Sequence, residues 1–147
     1  MSTAYDYDLL CIGSGPAGQR AAVQAAKLGK RVAVLEKEQL VGGVCLHTGT
    51  IPSKTFREAV ISLTNRANPF DDRNGDRKRK KPTATELLAR VAEIIERETS
   101  VQEDQLRRND IEVISGSGEF DDPHTIVVRA SDGERTVRAD NILVAVG

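Results

Sequence analysis

The sequence has no tryptophan, and phenylalanine and tyrosine together make up 3% of it. Single-stranded nucleic acid stacks on aromatic side chains, so that class of partner is not expected. Cysteine is as scarce, with only Cys11 and Cys45 in 147 residues. Two thiols in unrelated contexts do not make a disulfide framework, and a reducing, cytoplasmic setting is the natural expectation. No apolar run approaches the roughly 18 residues needed to cross a bilayer. The opening Met1-Ser2-Thr3-Ala4-Tyr5-Asp6-Tyr7-Asp8 carries acids where a secretory signal carries bases. Neither sign of charge dominates: 21 basic against 22 acidic side chains leave a formal net charge of -1. No overall field therefore draws the chain to nucleic acid or to a membrane. No metal site is expected either.

The hydrophobic share, 39%, is enough for one core in a chain of this length. Leu9-Leu10-Cys11-Ile12 is a short apolar run that stops at Gly13, and the Ala-rich stretch from Ala17 to Leu28 has helical spacing before Gly29. Arg31 to Glu36 gives a second apolar strand ending in an acid, which completes a βαβ unit with parallel strands and a right-handed crossover. A glycine-rich passage from Val41 to Lys54 leads into a helical stretch to about Arg66, with Pro52 marking a kink or a helix boundary. Asn68 to Pro82 loses periodicity and ends in Arg77-Lys78-Arg79-Lys80-Lys81. Asp71, Asp72 and Asp76 stand ahead of that run and no aromatics interleave, so it reads as a solvated loop rather than a nucleic-acid patch.

Thr83 or Thr85 can cap a long amphipathic helix through about Asn109, with Leu87, Leu88, Val91, Ile94 and Ile95 on one face. The last third changes period. Ile111–Ile114, Thr125–Val128, Thr136–Val137 and Ile142–Val146 read as strands, with Ser131-Asp132-Gly133 as a hairpin turn. One of these strands is expected to join the parallel sheet and a small antiparallel meander to cover it. The fold class is therefore α/β and Rossmann-like, with a parallel sheet, a long helix and a small β-meander.

Gly13-Ser14-Gly15-Pro16-Ala17-Gly18 matches G-x-G-x-x-G. Such a hexapeptide is weak by itself. Here it follows a strand, opens a helix, and is answered by Glu36 at the end of the next strand, about 20 residues on. Gly13 permits the tight turn, Gly15 leaves room for a pyrophosphate against the backbone, and Gly18 lets helix and strand pack closely. The N-terminus of the helix, which opens at Pro16 with Ala17 next, offers the unpaired N–H groups that follow the proline and partial positive charge to phosphates. Glu36 can accept hydrogen bonds from both hydroxyls of an adenosine ribose, and its charge repels a 2′-phosphate. FAD or NAD fits such a site and NADP does not.

The stretch Gly42-Gly43-Val44-Cys45-Leu46-His47-Thr48-Gly49-Thr50-Ile51-Pro52-Ser53-Lys54 resembles the active-site segment of the pyridine nucleotide-disulfide oxidoreductase family, which carries two cysteines in a GG-x-C-x-x-x-x-C-x-P-S-K pattern. Gly116-Ser117-Gly118-Glu119-Phe120 and Ile142-Leu143-Val144-Ala145-Val146-Gly147 resemble further family segments, so the likeness covers the whole chain. It implies that residues 1–147 are the first segment of an FAD-binding domain, with the nicotinamide and dimerisation domains absent, and that the full-length parent is a homo-oligomer. It also implies roles. Gly42 and Gly43 run against the FAD, Lys54 approaches the flavin N5 edge, Gly118 lies near the adenine, and Lys37, Ala145 and Gly147 belong to the cofactor-binding set. Val44 cannot donate the bond that threonine usually supplies there.

The departure from the family is Thr50. Cys45 matches the first thiol, but a hydroxyl stands in the second position and cannot form an S–S bond. Cys11, inside a strand, offers no substitute. The branch that looks like this is the soluble pyridine nucleotide transhydrogenases, in which hydride passes from NADPH via FAD to NAD, so tightly bound FAD is implied, with NAD and NADP as substrates of the full-length enzyme. Lys54, Thr50 and Cys45 are then the catalytic candidates, although the fragment alone is expected to be inactive. Cys45 reads as a packing residue beside the flavin more than as a redox group, and His47 reads as satisfied by a neighbour more than as a proton exchanger. Two other readings stay open: a family member that reduces a quinone or dye, and a non-catalytic FAD-binding fragment.

Overall fold

The computed structural model describes residues 5–64 and 83–147. The expected polar loop with its basic run, and the expected helix end at Arg66, lie outside those residues. The described elements are β1 (Tyr7–Ile12), α1 (Pro16–Lys27), β2 (Val32–Glu36), α2 (Gly43–His47), α3 (Thr50–Thr64), α4 (Ala84–Arg108), β3 (Glu112–Ser115), β4 (Ser117–Asp122), β5 (Thr125–Ala130) and β6 (Gly133–Val144). The strands lie in the order β3-β2-β1-β6-β5-β4. From β3 to β6 the pairing is parallel, with Leu10 opposite Ala33 on one side and Ile142 on the other. From β6 to β4 it is antiparallel.

Side chains alternate across a strand, and this sorts the core into two layers. Leu10, Ala33, Leu35 and Ile114 point to one face and meet Ile126, Val128, Val137 and Ala139 of the meander. Cys11, Val32 and Val34 point to the other and meet Ala22 and Val23 of α1 and Leu106 of α4. The central strands are therefore apolar on both faces, as expected of a parallel sheet covered on both sides.

Each helix has a local reason to start and stop. Pro16 sits in the first turn of α1, where its missing N–H costs nothing. Gly29 takes φ +76 just past the end, and the N–H groups of Gly29 and Lys30 close onto the carbonyls of Ala26 and Ala25. Pro52 lies in the first turn of α3, so it marks a boundary rather than a kink. Of the two threonines, Thr83 is the cap of α4. Its hydroxyl accepts from Glu86 N (3.2 Å) while the Glu86 carboxylate accepts from Thr83 N (2.8 Å), a reciprocal capping box.

Four expectations change. Two strand segments join the parallel sheet rather than one: β3, and the second half of β6. Thr136–Val137 and Ile142–Val146 are parts of one strand, β6, which pairs with β5 early and with β1 late and ends at Val144. A short helix, α2, stands inside the glycine-rich passage. On α4, Val91 is buried and Leu87, Ile94 and Ile95 partly so, but Leu88 is 60% exposed. Among the described residues no helix is long and apolar enough to cross a membrane.

Candidate functional site

The fingerprint turn links the end of β1 to the start of α1, at the carboxyl ends of the parallel strands, where open α/β sheets place their ligands. Gly13 has φ +103, and a Cβ there would collide with the carbonyl oxygen of Ala145. A Cβ on Gly18 would run into the carbonyl oxygen of Gly13. Both glycines are thus demanded by backbone packing. Gly15 is different, because a Cβ built on it meets nothing within 4 Å. The space before it is open, at the N-cap of α1, where no side chain caps the helix. The first-turn N–H groups that follow Pro16, those of Ala17 and Gly18, are not capped by a side chain and face an anion's place.

The second glycine pair faces this opening. Gly43 has φ +62, and its Cβ position lies 3.0 Å from the Cα of Gly15. Gly42 has φ +123, and a side chain there would meet the Cβ of Leu46 at 2.9 Å and Gln102 Oε1 at 3.0 Å. Two loops distant in sequence therefore come together backbone to backbone. Ala145 lies beside them, with its N–H donated to Ile12 O (2.8 Å) and its Cβ 3.6 Å from the Cβ position of Gly18.

Glu36 ends β2 beside this turn and is only 7% exposed. Its Oε2 accepts from Ser14 N (2.9 Å) and from Ser14 Oγ (2.5 Å), and its Oε1 accepts from Glu38 N (3.1 Å). Burial opposes the charge. The hydrogen bonds from the Ser14 hydroxyl and from the Glu38, Ser14 and Lys37 N–H groups outweigh it, so the carboxyl titrates below the ordinary glutamate range. Beyond Glu36 an open cleft of about 830 Å³ runs past Lys37, Glu38, Ser115 and Ser117 to the β5–β6 hairpin. Lys37 is largely exposed and lies 4.0 Å from the Glu38 carboxylate.

The remaining expected residues divide. Gly118 lies on β4, and its Cβ position is 2.5 Å from Leu35 Cδ2 and 2.9 Å from Ile126 Cγ2, so a larger residue there would have to displace those two core side chains. Val44 is 73% exposed and Cys45 is partly buried on α2. Thr50 opens α3 and Lys54 stands one turn later, both exposed, and among the described residues Lys54 takes part in no ion pair. The turn joining α2 to α3 is closed by Thr48 N and Gly49 N, which donate to Val44 O at 3.1 and 2.6 Å. His47 donates from Nε2 to Val41 O (2.8 Å), so this ring is satisfied by a neighbour. Cys11 is fully buried, and burial pushes its thiol up to about 11. Gly147 has φ +87 in open space.

Ser14 and Gln102 were not among the residues expected to matter. Ser14 is fully buried, and its hydroxyl also accepts from Gly42 N at 2.9 Å. Gln102 of α4 accepts from Gln19 Nε2 of α1 (2.5 Å), bringing the long helix to the rim of the glycine turns. The available signal was that Ser14 fills an x position of the fingerprint with a side chain that is small and still able to hydrogen-bond.

Known proteins are similar to this chain. Over 144 residues the chain is 46% identical to a soluble pyridine nucleotide transhydrogenase of Mycobacterium bovis, covering 97% of this chain and 31% of that protein. It is 37% identical to a soluble pyridine nucleotide transhydrogenase of Colwellia psychrerythraea, covering 100% and 32%. The chain thus spans about a third of the length of these relatives. Among solved structures it is similar to the HOCl-induced flavoprotein disulfide reductase RclA of Escherichia coli in its Cu(II) complex, with a TM-score of 0.80 and 26% identity over 96% of this chain and 28% of that one. Residues 7–147 match the pyridine nucleotide-disulphide oxidoreductase family along almost the entire chain, and the chain belongs to that family.

Proposed function

We propose that this chain forms the FAD-binding part of a flavoprotein oxidoreductase, and that the longer protein passes hydride from NADPH to NAD. The observation that supports the cofactor reading most is the meeting of Gly15 and Gly43 backbone to backbone, with open space before Gly15, next to a buried and charged Glu36. Bound FAD supplies an acceptor and donor of hydride. Gly13, Gly15, Gly18, Gly42 and Gly43 let the backbone approach a pyrophosphate, and the α1 N-terminus at Pro16–Ala17 neutralises it. Glu36 takes the adenosine ribose, and Lys37, Val44, Gly118, Ala145 and Gly147 complete the binding set.

Thr50 supports the acceptor. With Cys45 the sole sulfur in the segment, no dithiol is available to take the electrons, and a second nicotinamide is the natural partner. Lys54 favours negative charge at the flavin edge, and Cys45 packs against the ring system. The relatives' names agree with this reading. A homo-oligomeric parent in the cytoplasm belongs to the same proposal. Titrating the purified chain with FAD tests the cofactor: a flavin spectrum that does not change on adding protein sinks it. NADPH-dependent reduction of thio-NAD by the longer protein tests the reaction. Lys54→Met should slow it at least tenfold, and full-rate turnover in that variant would refute the role given to Lys54.

A further inference from the structure

Ser14 occupies the point where three separate pieces of the site touch. Its side chain is fully buried at the fingerprint turn. The hydroxyl has one proton, and it goes to Glu36 Oε2 at 2.5 Å. That commitment turns an oxygen lone pair to the N–H of Gly42, 2.9 Å away. The Ser14 backbone N–H adds a second bond to the same carboxylate oxygen, at 2.9 Å. Gly42 is itself buried and held at φ +123, a conformation that its own contacts with Leu46 and Gln102 restrict to glycine. One hydroxyl thus joins the ribose acid on β2, the turn after β1 and the glycine pair that faces Gly15.

We propose that Ser14 is a positioning residue of the dinucleotide site, orienting the Glu36 carboxylate and locking the Gly42–Gly43 turn to it before ligand arrives. The proposal rests on the FAD-binding reading above. Removing the hydroxyl leaves a buried N–H without its acceptor and strips the carboxylate of a donor, and both losses fall where ligand has to bind. Ribose hydroxyls then meet a carboxylate free to turn away, and the pyrophosphate meets a glycine turn that has lost its tether. Ser14→Thr keeps the hydroxyl, so it keeps the coupling.

Two measurements on the 147-residue chain decide the matter. The first follows the Glu36 side-chain carboxyl by carbon NMR against pH and needs no ligand. In the wild type it should titrate below the ordinary glutamate value, and Ser14→Ala should raise it; a wild-type midpoint at the ordinary value overturns the proposal without any variant being made. The second is FAD affinity, followed by flavin absorbance, for the wild type, Ser14→Ala, Ser14→Thr, Glu36→Gln and the Ser14→Ala/Glu36→Gln pair. Ser14→Ala should weaken binding roughly tenfold or more and Ser14→Thr much less. The Ser14→Ala penalty should shrink when Glu36 is already glutamine, because the two act as a unit. Full additivity, or equal affinity in wild type and Ser14→Ala, refutes the positioning role. A wild-type chain that binds no FAD instead refutes the cofactor reading on which it rests.

Discussion

Glycine carries two different meanings here, and a single methyl group separates them. Gly18 is needed because a Cβ would enter the carbonyl of Gly13, whereas Gly29 is needed only for its positive φ, with open space around it. Gly18→Ala should therefore destabilise by more than about 3 kcal/mol and Gly29→Ala by about 1 kcal/mol, as read from urea unfolding midpoints. The reverse order would contradict the packing of α1 on β1. Cys11 gives a second prediction at this scale. Its folded-state thiol is pushed up by burial to about 11 from an ordinary value of 9.0, so the unfolded chain releases the proton first as pH rises. The stability it contributes is complete below about pH 9 and is lost as pH climbs through 11. Urea unfolding at stepped alkaline pH should show that decline, and Cys11→Ala should reduce it.

Much of this scale was legible from sequence, since the tight turn at Gly13, the close packing at Gly18, the open space at Gly15 and the place of Glu36 at the end of β2 follow from a glycine pattern between strand and helix. Ser14 was not. Its partners lie 22 and 28 residues away, and no periodicity announces a hydrogen bond across such a separation. The packing reason for Gly118 was hidden likewise, because it depends on how β4 crosses Leu35.

At the scale of elements, helical periodicity located α4 but not the width of its buried stripe. Leu88 was grouped with Val91, yet one is 60% exposed and the other 8%. Leu88→Ala should change stability by less than about 0.5 kcal/mol, whereas Val91→Ala should cost about 1–2 kcal/mol, measured by denaturant unfolding. Equal costs would mean that the helix is rotated from the position described. Strand patterns were equally informative about existence and uninformative about continuity. Thr136–Val137 and Ile142–Val146 appear separate because Arg138, Asp140 and Asn141 interrupt the apolar run. They form one strand because those polar residues lie where β6 passes from one partner to the other. Arg138 N donates to Asp6 Oδ2 and Asn141 Nδ2 donates to Asp8 O, so the interruption is bonded to the start of β1.

On the scale of the whole molecule, β6 makes the meander and the parallel sheet interdependent. Val137 and Ala139 share one apolar cluster with Leu10 and Leu35 below and with Ile126 and Val128 above. The meander therefore has no core of its own and should not open independently. Native-state hydrogen exchange should find the amides of Ile126 and Val128 as protected as those of Leu10 and Val34. Meander amides that exchange through a low-energy local opening, with the sheet intact, would contradict this.

The pairing of β1 with β6 has a mechanical corollary. The two strands run in the same direction, with Tyr7 beside Ala139 at one end and Ile12 beside Val144 at the other. Tension applied between the beginning of β1 and the far end of β6 pulls them past each other lengthwise. Every rung of that ladder then bears load together instead of parting one by one, which makes the centre of the sheet a clamp against stretching.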